Sequence, residues 1–70
     1  MTLKELTQSW RRGDQLMWND PQPIEGNDYI ISYIEELDDL EESDSFLPIL
    51  IQYNKGQSEA QVYLHEIIKT

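Results

Sequence analysis

The chain has 70 residues, fourteen acidic side chains against five basic ones, a formal net charge of −9 and no cysteine. That length allows one domain, 1–70, with a core contributing only about 3–5 kcal/mol of net stability. The charge repels phosphate backbones and anionic lipid, which argues against direct nucleic-acid binding, and the missing thiols remove disulfides and thiolate metal sites.

No apolar run reaches about 18 residues, so no membrane-spanning helix is expected. Residues 1–10 lack the long apolar stretch of a signal peptide. With no disulfides, the expected location is the cytoplasm. Seven aromatic residues argue for a folded chain, since each can bury about 150–250 Å² and disordered acidic chains are poor in them.

Thr2 to Trp10 predicts a short helix, because Leu3, Leu6 and Trp10 share one face of a 3.6-residue period. Thr2 with Glu5 fits a capping box. Gly13 suits the C-terminal end, and Arg11 and Arg12 complement the helix dipole there. Residues 14–20 predict a strand with Leu16 and Trp18 on one face, ended by Pro21 and Pro23. A loop over 19–28 follows, with a second turn at Gly26-Asn27.

Residues 29–36 fit two periods. Tyr29, Ile31 and Tyr33 alternate as in a strand, while Ile30, Ile34 and Leu37 keep helical spacing. β-branched and aromatic content favours the strand. The alternative is an α+β fold with a helix at about 29–42. Residues 35–44 hold seven acids, which self-repel and stay solvated. An acidic mobile loop is expected over 37–45, with room for a helical turn near Leu37.

Residues 46–53 predict a covered strand. Leu47, Ile49, Ile51 and Tyr53 lie on one face, Phe46 and Leu50 on the other, and Pro48 marks an edge or bulge. Asn54-Lys55-Gly56-Gln57 is a hairpin turn. Residues 59–65 form its partner strand, with Ala60, Val62 and Leu64 on one face, and Ile67 returns to the core. Leu16, Trp18, Ile31, Ile49, Ile51, Val62 and Leu64 are the expected interior. Short strands without helical crossovers imply a mostly β, antiparallel, closed or strongly bent sheet with a short N-terminal helix.

Three stretches carry a resemblance: Gly13-Asp14-x-Leu16-x-Trp18-Asn19-Asp20-Pro21, Asp28-Tyr29-x-Ile31, and Ser58-Glu59-Ala60-x-Val62-Tyr63-x-x-Glu66-Ile67. Together, over about 13–67, they resemble small uncharacterised bacterial proteins of the Bacteroides type, often linked to mobile elements. The element order also resembles SH3-like small β-barrels of the KOW or Tudor type. The resemblance implies a barrel fold and no chemistry. The acidic run departs from basic, RNA-binding KOW domains. A Tudor-like cage would need several aromatics converging on one rim.

No catalytic, cofactor or metal site is expected. His65 has no cysteine or second histidine to share zinc, and reads as an exposed strand residue. The acids at 35–44 lack the glycine-bearing loop of a calcium site, and three scattered glycines build no phosphate loop. Trp10 and Trp18 read as core residues, and either becomes a hot-spot candidate if exposed beside tyrosines. The candidate partner surface is Trp18, Tyr29, Tyr33, Tyr53 and Tyr63 with Asp38, Asp39, Glu41 and Glu42. The expected function is a non-catalytic protein-binding or regulatory module, monomeric or a weak homodimer, that favours a basic partner. The alternative is an acidic nucleic-acid mimic that inhibits a DNA-binding enzyme.

Overall fold

The structure, a computed structural model, describes all 70 residues. Helix α1 spans Leu3–Arg12. Its N-terminus has the capping box the sequence predicts: the Glu5 amide donates to Thr2 Oγ1 at 3.1 Å, and the Thr2 amide donates back to Glu5 Oε1 at 3.4 Å. Gly13 ends the helix in the left-handed region, φ 82°, where a β-carbon would be strained. Its amide satisfies carbonyls of Ser9 and Trp10. Leu3, Leu6 and Ser9 are buried, so the helix is an integral wall of the core.

Five strands follow: β1 Leu16–Trp18, β2 Tyr33–Ile34, β3 Ile49–Tyr53, β4 Ser58–Val62 and β5 Ile67–Lys69. They form two antiparallel sheets, β1–β5 and β2–β3–β4, and the sheets are not closed into a barrel. The chain is therefore mixed α and β. No helix is long and apolar enough to cross a membrane.

The segment before and through β2 bonds to both sheets. The Trp18 amide donates to the Tyr29 carbonyl at 3.0 Å and the Ile31 amide to the Leu16 carbonyl at 2.9 Å. Beyond Ile31 the partner changes: the Ser32 amide donates to Gln52 O at 2.9 Å and the Glu35 amide to Leu50 O at 3.0 Å. Tyr33 also stands opposite Gln52. Two residues against one is a bulge, which re-aims side chains by one position. Ile31 and Ile34 are consequently both buried, while Ser32 and Tyr33 are exposed. Strict alternation, with Tyr29, Ile31 and Tyr33 on one face, is corrected on this point.

The helical alternative over 29–42 is absent in that form: its only helical piece is a 3-10 turn at Leu37–Asp39. A second 3-10 turn covers Glu42–Asp44. The acidic run is thus built from two short turns, and Leu37 plugs the first into the core. The covered strand begins at Ile49, not at residue 46. Phe46 and Leu47 are exposed, at 73% and 46%, because Pro48 has no amide to donate to a ladder and holds off the pairing. The fourth strand is shorter than expected as well. It stops at Val62, and Leu64–Glu66 turn as a 3-10 helix, so His65 is exposed on a turn.

Of the seven expected interior residues, six are buried and Trp18 is half-buried. The core also takes Leu3, Leu6, Ile34, Leu37, Tyr53 and the returning Ile67. Leu6 and Ile51 are fully excluded from water. A core of this size draws on α1 and on all five strands, since so small a chain has little apolar surface to spare.

Candidate functional site

The five candidate aromatics do not form one surface. Trp18, Tyr29 and Tyr53 meet at one end of the molecule. Trp18 sits edge-on to Tyr29 at 5.8 Å and to Tyr53 at 5.1 Å between ring centroids, and the two tyrosines stack at 5.4 Å and 11°. These are contact distances for aromatic pairs. The rings fill the space between one another, so the group is a packed cluster rather than an open cage for a cation.

The loop over 19–28 is fastened to that cluster. Tyr29 Oη donates to Asp20 Oδ2 at 3.0 Å and accepts from the Ile24 amide at 2.8 Å. Asp20 Oδ1 accepts from the Gln22 amide. At the loop's end, the Asp28 amide donates to Asn54 Oδ1 and the Asn54 amide to the Asp28 carbonyl, which ties the loop to the β3–β4 turn. The Trp18 Nε1 donor is buried without an acceptor.

Tyr33 and Tyr63 lie elsewhere and are exposed, at 49% and 45%. Tyr63 stacks on His65 at 5.8 Å. Both line a cleft of about 470 Å³ with Glu42, Phe46 and Leu64. Glu41 is exposed beside it in sequence, and its amide donates to Asp44 Oδ2 at 3.1 Å within the second turn.

Tyr33 lines a different cleft, of about 450 Å³, with Trp10, Arg11, Ile34, Glu36, Leu37, Asp38 and Asp39. Three elements meet here. The last turn of α1 brings half-buried Trp10 and Arg11, β2 brings Tyr33, and the first acidic turn brings Glu36, Asp38 and Asp39. The bulge is what turns Tyr33 outward. Glu36 has φ 54° and ψ 30°, the left-handed region, which costs a non-glycine residue about 1–2 kcal/mol. That conformation starts the turn whose Leu37 is buried and whose acids face water. The single base, Arg11, places Nη2 2.7 Å from Asp38 Oδ1. Glu36 and Asp39 have no ion-pair partner. Aromatic walls beside uncompensated carboxylates suit the stem and charged head of a basic side chain.

Trp10, Arg11 and Glu36 are the aromatic and charged residues that sequence reasoning did not place here. Trp10 continues the inward stripe of Leu3 and Leu6, and so reads as core. Its position in the last turn, next to Arg11, is the one hint of a rim. Sequence carries no signal for the left-handed Glu36.

One carboxyl away from this cleft is electrostatically distinct. Asp14 Oδ2 accepts from Arg12 Nη2 at 2.9 Å and lies 3.2 Å from Lys69 Nζ. The hydrogen bond from Arg12, then that from Lys69, holds its carboxyl below the ordinary value of 3.8. This joins the end of α1 to β5 and is structural. No three histidine or carboxylate side chains converge to hold a metal ion.

No family model matches the chain, and no curated protein or solved structure matches it significantly.

Proposed function

We propose that the chain is a small non-catalytic protein-binding module that docks a basic partner at the cleft between α1, β2 and the first acidic turn. The observation that carries this reading is the meeting of Trp10 and Tyr33 with Glu36, Asp38 and Asp39 around about 450 Å³ of open space. A few hot-spot residues carry most of the energy of typical protein contacts, and tryptophan and tyrosine are enriched among them. The −9 charge supplies long-range attraction and selects against acidic competitors. The wider setting is a bacterial, cytoplasmic protein that is monomeric or weakly self-associating, on an SH3-like scaffold. The element order supports the scaffold: strand, long loop, a segment bonding to both sheets, loop, strand, tight turn, strand, 3-10 turn, strand.

The rival, an acidic mimic of nucleic acid, draws on the same charge. It needs carboxylates spaced along one surface. Asp38 and Asp39 lining one cleft and Glu42 lining another give it less support.

The test is a titration of labelled protein with a lysine- and arginine-containing peptide, followed by amide and indole shifts. Shifts centred on the Trp10 indole, Tyr33 and residues 36–39 are expected. Tyr33→Ala should weaken binding about tenfold, as an exposed hot-spot aromatic does. Uniform small shifts over every acidic residue, with Tyr33→Ala without effect, would sink the reading.

A further inference from the structure

We infer that the cleft selects an arginine side chain of its partner, and that Arg11 is an internal guanidinium which the incoming arginine displaces from Asp38. This rests on the binding reading above and adds the identity of the recognised group and the means of its control.

The cleft already holds one guanidinium. Arg11 reaches from the last turn of α1 to a residue 27 positions later in the chain and meets Asp38 Oδ1 at 2.7 Å through a single nitrogen. A guanidinium can engage a carboxylate through two parallel bonds. The pair at Arg11 is single and exposed on both sides. Such a pair is held weakly and exchanges with solvent and with competing cations. It is a plug rather than a lock.

The surroundings favour guanidinium over ammonium. Trp10 and Tyr33 both line the cleft, and aromatic surface stacks a planar, weakly hydrated guanidinium better than a compact, strongly hydrated ammonium. Glu36 and Asp39 remain uncompensated after Arg11 has paired with Asp38. A second cation is therefore attracted before the first has left. The internal pair thus acts as a weak competitor: an incoming arginine must displace it from Asp38, at a cost of a few-fold in affinity.

The probes are two blocked hexapeptides, one alternating glycine with arginine and one alternating glycine with lysine. The arginine peptide should bind the unaltered chain at least about threefold more tightly, read from the Trp10 indole shift. Arg11→Gln should tighten the arginine peptide about two- to fivefold, the range an exposed pair allows. Lys55→Gln, which removes the same charge on a turn that does not line the cleft, is the control for net charge. An equal gain in both variants overturns the displacement. Equal affinity for both peptides overturns the arginine preference. If neither peptide shifts Trp10 or Tyr33 in either chain, the binding reading itself falls, and that outcome is distinct from the other two.

Discussion

Two loops of this protein carry aromatic and acidic residues, yet they are built in opposite ways. The loop over 19–28 is drawn shut. Tyr29 Oη bonds to both Asp20 and the Ile24 amide, and Asn54 closes its far end. The loop over 35–48 is anchored by Leu37 and two 3-10 turns, and presents its acids outward. The first uses its aromatics and polar groups on itself. The second leaves Tyr33, and Trp10 beside it, next to unpaired carboxylates. Clustering of aromatics is therefore no mark of a binding site here. The tightest cluster, Trp18 with Tyr29 and Tyr53, is packing, and the looser pair is the candidate surface.

That contrast can be broken most drastically through the core that both loops share. Ile51→Ala removes a fully buried side chain and should cost about 2–5 kcal/mol, comparable to the whole stability expected of so small a core. Urea unfolding followed by circular dichroism should show the chain largely unfolded without denaturant. A retained sharp transition near that of the parent would mean the core is less cooperative than its burial implies.

A subtler variant separates the loops. Tyr29→Phe keeps the ring stack and deletes the hydroxyl that holds the 19–28 loop. It should destabilise by about 0.5–1.5 kcal/mol, the net worth of a hydrogen bond whose partners, Asp20 and the exposed Ile24 amide, can turn to water. Amide exchange should rise across 20–28 and stay unchanged at 37–44. Equal loosening of both loops would erase the distinction drawn here. Thr2→Ala is expected to cost about 1 kcal/mol by removing the helix cap, and its effect should spread to the Trp10 cleft only through fraying of α1. Comparison of the Trp10 indole shift with that of an intact helix checks this.

Asp38→Asn should change stability by no more than about 1 kcal/mol, since its ion pair is exposed. A larger loss in thermal unfolding would make Arg11–Asp38 a structural clasp and remove it from the binding surface. The smallest effect concerns pH. Asp14 has its folded pKa depressed by Arg12 and Lys69. Its contribution is therefore present above the unfolded value near 3.8 and is lost as pH falls through the lower folded value. The stability difference between the parent and Asp14→Asn should be constant at neutral pH and vanish in acid below that value. A difference that grows in acid has the wrong sign and would contradict the pairing.

Local chemistry was readable where one residue decides one bond. Thr2 with Glu5 and Gly13 set both ends of α1, and the turn at 54–57 places Asn54, Lys55 and Gly56 at positive φ. The Ile49, Ile51 and Tyr53 alternation and the return of Ile67 followed from period and apolarity alone. The candidate site was legible in part: Tyr33, Asp38 and Asp39 were named, but Trp18, Tyr29, Tyr53 and Tyr63 were grouped with them on residue type. Type does not say which ring faces which.

What the sequence by itself determined was the acidic charge, the capped helix and the strand-forming segments, because these depend on neighbours a few positions away. Tertiary structure decided three things: the bulge opposite Gln52 that turns Tyr33 outward, the left-handed Glu36 that swings the acidic turn against α1, and the division of five aromatics between a packed cluster and two clefts. Each depends on which distant segment a strand pairs with, and a switch of pairing partner moves side chains across a face without leaving any trace in the local pattern of residues.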